Sequence, residues 1–303
     1  MTVATSSTVT VRGIDLSVSD LTPSGGDLTS GDDPVTGDDP VPGDRSSRVP
    51  FVWGHGLSSS RDDEDEFAIV ETRELARTRR VVRYDAAGHG RSGELPAPTR
   101  GAWSELAHDQ LALVDELGLD EMVVGGASMG AATALHVAPL LGRRLRGLVL
   151  VIPPTGWATR RAQVDGYEQM ARNLDRRTVE PIIAASAGVA PPDPFLDDAE
   201  TYDARRAARL RSADPARLAA AFRGAAHADL PSEEEIARIA VPTLILAWSG
   251  DPGHPVSTAE RLDELITDTQ LHVASTADDL AGWTGLVATF LADVDRARLD
   301  DTG

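Results

Sequence analysis

The chain has no cysteine and no lysine. Without cysteine there are no disulfides, no thiolate nucleophile and no cysteine-ligated metal. Without lysine, every fixed side-chain positive charge is an arginine, which points to a GC-rich genome and selects no function. Positive charge is also scarce, with 29 basic against 48 acidic residues and a formal net charge of -19. So acidic a surface repels phosphate backbones and anionic lipid heads, which argues against nucleic-acid and membrane-surface partners. Much of the acidity lies in 27–44, 61–66 and 193–200, where it serves solubility. No apolar run reaches the roughly 18 residues that a membrane-spanning helix needs. The N-terminal residues show no basic segment followed by an apolar run, so a cytoplasmic location is expected.

What is present is ordinary for a globular protein: 303 residues, 41% hydrophobic and 25% charged. That length accommodates one large domain and a smaller insertion. Residues 8–18 alternate in polarity around a glycine and predict a β-hairpin. Residues 20–47 are dominated by Ser, Thr, Gly, Asp and Pro, with near-repeats at Gly31–Val35 and Gly37–Val41, and predict a flexible loop. Strands are expected at 48–53, 81–84, 121–125 and 146–152, and helices at 62–77, 102–117 and 128–141. The second helix is carried by Leu106, Leu111, Leu113, Val114 and Leu117 at helical spacing. Short alternation of strand and helix means an α/β fold whose mostly parallel sheet is covered on both faces.

After Pro153-Pro154 the alternation stops. Residues 155–240 read as helical, with breaks near Pro181, Pro191–Pro194 and Pro215. The alternation resumes with a strand at 243–248, a helix at 257–266, a strand at 270–274 and a helix at 280–297. The expected division is therefore a sheet domain of 1–152 and 241–303 and a helical cap of 153–240.

Gly126-Ala127-Ser128-Met129-Gly130 has the Gly-x-Ser-x-Gly spacing, a weak pattern by itself. Its setting strengthens it, because Met122-Val123-Val124 precedes it and Ala131–Leu135 follows it. A serine on a sharp strand-to-helix turn is lifted clear of the sheet, over a helix N-terminus whose amides favour a developing oxyanion. Two further turns join it: Trp53-Gly54-His55-Gly56-Leu57, and Asp85-Ala86-Ala87-Gly88-His89-Gly90-Arg91-Ser92.

Together these three motifs resemble the α/β-hydrolase family with a helical cap, and the resemblance covers nearly the whole chain except about 20–47. It implies a mostly parallel eight-stranded sheet, Ser128 as nucleophile, and an oxyanion hole from the amides of Leu57 and Met129. His55 and His89 would then orient their turns, with His55 and Gly56 bordering the pocket. The family's acid falls on Asp251, in Trp248-Ser249-Gly250-Asp251-Pro252.

The family's histidine, expected after the last strand, is missing. Ser275-Thr276-Ala277-Asp278-Asp279 stands there, and no His follows His272, which lies inside the strand. A serine needs a base, and an aspartate is a poor one near neutrality unless its pKa is raised. Asp279, beside Asp278, is one candidate. His254, three residues after Asp251, is the stronger one, since its loop lies on the same rim as the elbow. His227, where the cap returns to the sheet, is another pocket candidate. His108 and His136 fall within helices away from that rim.

These residues point to a serine hydrolase acting on a small ester, lactone or similar acyl substrate, with no cofactor and a small molecule as its partner. Two alternatives stay open: a non-hydrolytic, ligand-binding member, and a lyase or cofactor-independent peroxidase on the same scaffold. Arginines in the cap could favour a carboxylate-bearing substrate or could be a solvated face. The sequence sets no oligomeric state.

Overall fold

The computed structural model describes residues 2–24 and 48–302. An eight-stranded sheet runs in the order β1-β2-β4-β3-β5-β6-β7-β8. β1 (Thr2–Val11) and β2 (Ile14–Pro23) form an antiparallel hairpin, and β2 pairs antiparallel with β4 (Val81–Tyr84). β3 (Phe51–Gly54), β5 (Met122–Ala127), β6 (Leu145–Val151), β7 (Thr243–Trp248) and β8 (Thr269–Ala274) continue the sheet in parallel. The hairpin turns at Arg12-Gly13, both at positive φ (48° and 82°), as a tight two-residue turn between twisted strands requires.

The central strands are apolar on both faces because helices cover both. Phe51 and Trp53 pack into one apolar cluster while Val52 packs into the opposite one. On the Val52 side lie α3 (Trp103–Glu116), α4 (Met129–Leu141) and α10 (Val256–Leu265). On the Phe51 side lie α2 (Thr72–Leu75) and α12 (Trp283–Thr302). Between β6 and β7 the chain forms α5 (Trp157–Leu174), α6 (Glu180–Ser186), α7 (Ala199–Ser212), α8 (Pro215–Ala226) and α9 (Glu233–Ile236). Ala171, Leu174, Ile182, Leu210, Leu218 and Phe222 give these helices an apolar core of their own. No described helix is long and apolar enough to cross a membrane.

Three expectations need correction. Residues 20–23 are not loop: β2 runs on to Pro23, and Leu21 is buried opposite Val81. The rest of the expected flexible stretch, 25–47, lies outside the described residues. The helix expected at 62–77 is two short ones, α1 (Arg61–Glu66) and α2. Phe67 leaves the helical conformation after α1 (φ -137°, ψ 62°) and sets its ring against Phe195 and Tyr202. The last helix is likewise preceded by a separate turn, α11 (Ala277–Ala281), which starts at a Thr276–Asp279 capping box.

The chain leaves β3 toward β4 on one side and returns to β5 on the other. Such a reversal opens a crevice at the carboxyl ends of the strands. The loops that follow β3, β5 and β7 meet there.

Candidate active site

The β5–α4 turn is a close approach of glycines. A Cβ on Gly126 would lie 2.4 Å from the Gly54 carbonyl oxygen, and one on Gly130 would lie 2.1 Å from the same atom. Only glycine at both positions lets β5 and α4 pack against the end of β3. Between them Ser128 is held at φ 52°, ψ -109°, a region costly for a side-chain-bearing residue and characteristic of functional turns. Its amide donates to the Val151 carbonyl (2.9 Å) and its carbonyl accepts from Ala132 (3.0 Å), so the turn is anchored on both sides. The side chain is left at the head of the crevice.

Facing it is the loop after β7. Gly253 N donates to Asp251 Oδ1 (2.8 Å) and His254 N donates to the Asp251 carbonyl (3.2 Å). This folds Asp251–His254 into a turn that puts the two side chains on one side. The Gly253 carbonyl accepts from Thr155 N (3.1 Å), tying the loop to the residues after β6. His254 Nδ1 lies 2.7 Å from Asp251 Oδ2, and Nε2 lies 2.8 Å from Ser128 Oγ. A carboxylate only accepts, so Nδ1 carries the proton and Nε2 presents a lone pair to the serine hydroxyl.

Asp251 Oδ2 also accepts from Trp248 Nε1 at 3.0 Å. Burial would raise this carboxyl, but hydrogen bonds from His254, Gly253 and Trp248 outweigh it and hold the group down at about 2. It is a carboxylate at any working pH.

Leu57 and Met129 border the serine from two elements, the loop after β3 and the first turn of α4. Among the described residues neither amide donates to a protein acceptor. The β3 loop is braced from behind. His55 is buried; its Nδ1–H donates to the Gly56 carbonyl (2.8 Å) and its Nε2 accepts from Ala86 N (2.9 Å). Asp85 accepts from the amides of Arg61 (2.9 Å) and Arg91 (3.0 Å); against burial, which raises it, the neighbouring His55 and then these two amides hold it below the usual carboxylate range. His89 is buried against His55, its ring nitrogen bonded to the Ala87 carbonyl; burial and the neighbouring imidazole push it down to about 3.

The crevice widens into a cavity of about 890 Å³, lined by Gly56, Leu57, Ser128, Trp248, Asp251 and His254 on the sheet side. Tyr202, Arg205, Arg206 and Arg209 of α7 form the opposite wall.

Three of the pocket candidates stand elsewhere. His55 faces away from the cavity, because both its nitrogens are committed to backbone. His227 is exposed at the C-terminal cap of α8. Asp279 is exposed and spends its carboxylate on the α11 capping box, accepting from Ser275 N, Thr276 N and Thr276 Oγ1, which lowers its pKa further. The Thr-x-x-Asp spacing is a helix-start signal that sequence reading passed over. Trp248 and Glu64 were also missed. Glu64 accepts from Trp53 Nε1 at 2.7 Å beneath the β3 loop, and burial pushes its carboxyl up. Of the remaining histidines, His272 pairs within the sheet, His108 is exposed on α3 and His136 lies against the Asp229 carbonyl.

Comparisons with known proteins agree with this architecture. The sequence profile of the alpha/beta hydrolase fold matches residues 49–286. The chain is 28% identical over 194 residues to 3-oxoadipate enol-lactonase 1 of Acinetobacter baylyi, covering 64% of this chain and 70% of that one. Among solved structures, a hydrolase from Pseudomonas aeruginosa PA01 superposes with a TM-score of 0.73 at 24% identity, over 94% of this chain and 98% of that one. The enol-lactonase from Burkholderia xenovorans LB400 gives 0.69 at 19% identity, over 94% and 100%. With its profile spanning most of the chain, this protein belongs to the α/β-hydrolase fold family.

Proposed function

We propose that this protein is a serine hydrolase acting on a small ester, lactone or similar acyl substrate. One observation carries the reading: an unbroken hydrogen-bonded line runs from Asp251 through His254 to Ser128, with contacts of 2.7 and 2.8 Å. His254 takes the Ser128 proton as Oγ attacks the acyl carbon. Asp251 holds the imidazole in the required tautomer and stabilises the imidazolium that forms. The amides of Leu57 and Met129 receive the negative charge that develops on the carbonyl oxygen. His254 then returns its proton to the leaving oxygen, and water, activated by the same imidazole, releases the acyl group.

The helices of 153–240 serve as a cap over the sheet core of 1–152 and 241–303. Two features support this: α7 supplies one wall of the cavity, and these helices pack around their own apolar core. A non-hydrolytic reading drew its force from the missing histidine after β8. The imidazole beside Ser128 weighs against it.

The test is hydrolysis of 4-nitrophenyl esters and simple lactones by the wild type and by Ser128→Ala. Turnover that falls by at least about 10³-fold in the variant supports the proposal. Turnover that survives the substitution, or its absence on every ester and lactone, rejects it.

A further inference from the structure

Five arginines line the cavity: Arg91, Arg205, Arg206, Arg209 and Arg217. Four are already engaged. Arg91 pairs with Asp62, and Arg205 lies over the Phe67 ring at 5.3 Å. Arg206 donates to Ser186 Oγ, and Arg217 donates to the carbonyls of His89, Gly90 and Ser92. Arg209 differs. Among the described residues it makes no side-chain hydrogen bond, no ion pair and no ring contact, and its Nε is sealed from solvent without a partner.

Arg209 is half-buried: its Nε is out of water without a partner while the two terminal nitrogens stay open to the cavity. A buried polar atom left without a partner is costly and normally satisfied. The nearest acids do not do this. Asp63 and Glu64 act on Arg209 only at a distance. Asp63 instead accepts from Ser60 Oγ at 2.7 Å, and Glu64 accepts from Trp53. Burial pulls the Arg209 guanidinium below its ordinary pKa, as expected of a cation lacking its anion. One turn pair away on the same face of α7, Tyr202 offers a hydroxyl with no protein partner among the described residues.

We propose that Arg209, with Tyr202 beside it, is the binding site for a carboxylate on the substrate, at the end remote from the bond that Ser128 attacks. This rests on the hydrolase reading of the cavity. The guanidinium fork matches the two oxygens of a carboxylate. A single unpaired arginine balances one negative charge. Asp62, Asp63 and Glu66 also line the cavity, and they disfavour a more highly charged group such as a phosphate dianion. The favoured class is therefore the half-ester or lactone of a dicarboxylic acid.

The experiment compares mono-4-nitrophenyl succinate, glutarate and adipate with the uncharged butyrate, valerate and hexanoate esters, in the wild type and in Arg209→Met. A ratio of kcat/KM values is read, so a partly folded variant does not distort it. The wild type should favour the charged ester at one chain length at least. Arg209→Met should lower the charged-to-uncharged ratio by about 100-fold, the scale of losing one partner of a desolvated charge pair. A ratio unchanged by the substitution, or a wild type that prefers uncharged esters at every length, overturns the assignment. Calorimetric binding of monomethyl glutarate to Ser128→Ala, and to Ser128→Ala with Arg209→Met, reads the site without catalysis. Binding that depends on Arg209, found together with a wild type that turns over no ester or lactone, would reject the hydrolase reading and keep this one. Binding indifferent to Arg209 would reject this one.

Discussion

His254 and Asp251 belong to one turn, three residues apart, with Nδ1 2.7 Å from Oδ2. The carboxylate and the imidazole are thus held by the same few backbone hydrogen bonds, rather than brought together from two separate loops. Disturbing either residue disturbs the local turn as well as the charge.

Asp251→Asn tests the orienting role. The amide keeps the shape of the side chain but can offer Nδ1 an N–H, favouring the tautomer that withdraws the lone pair from Ser128. We expect kcat to fall by roughly 10²–10⁴-fold on a 4-nitrophenyl ester with little change in KM. Steady-state kinetics on the purified variant decides it; a fall of less than about threefold would mean that Asp251 only shapes the turn.

Gly130→Ala tests the close packing beneath the elbow. The added methyl would meet the Gly54 carbonyl oxygen at 2.1 Å, with backbone on both sides. Neither partner is a flexible side-chain end that could swing away, so the cost should be about 3 kcal/mol or more. Urea unfolding monitored by tryptophan fluorescence measures it. A loss under about 1 kcal/mol would show that β3 and α4 can separate without consequence.

His89 gives a pH signature. Its folded-state pKa is depressed to about 3 from an ordinary value of 6.5. The unfolded chain therefore binds the extra proton throughout that interval, and stability falls as pH drops from about 6.5 toward 3. His89→Gln keeps a donor for the Ala87 carbonyl and removes the titration. The slope of unfolding free energy against pH should flatten in that window relative to the wild type. Parallel slopes would contradict a neutral, buried His89.

Asp279→Ala separates structure from chemistry at the end of β8. Loss of the N3 half of the capping box should weaken the start of α11, read as a lowered melting temperature. Turnover below the melting transition should stay within about twofold of the wild type. A larger loss would restore Asp279 as a participant in catalysis.

Much of this molecule was legible in its sequence because the informative signals are local. The Gly-Ala-Ser-Met-Gly turn, the His-Gly turn after β3 and the alternation of strands and helices each depend on neighbours in the chain. The proximity of His254 to Ser128 could be anticipated for the same reason, since it sits three residues beyond Asp251. What escaped notice was settled by competing local chemistry or by tertiary contact. Asp279 looked like a vacant catalytic seat, yet the threonine three residues before it had already committed it to capping. The helix expected across 62–77 is a charged stretch, but Phe67 leaves the helical conformation within it and packs on Phe195 and Tyr202. Tyr202, Arg205, Arg206 and Arg209 do recur at helical spacing on α7, but only the fold brings that face over Ser128. Trp248 carried no signal beyond ending its strand, and its bond to Asp251 emerges only from the turn.

The central claim is that His254, from the acid's own turn, activates Ser128. It is tested most directly by the rate at which a fluorophosphonate labels Ser128 in the wild type and in His254→Ala, with the labelled site identified by peptide mass spectrometry. The account predicts single-site labelling of wild-type Ser128 and a rate at least about 10²-fold lower without the imidazole. A wild-type protein that does not label, or equal rates with and without His254, would contradict it.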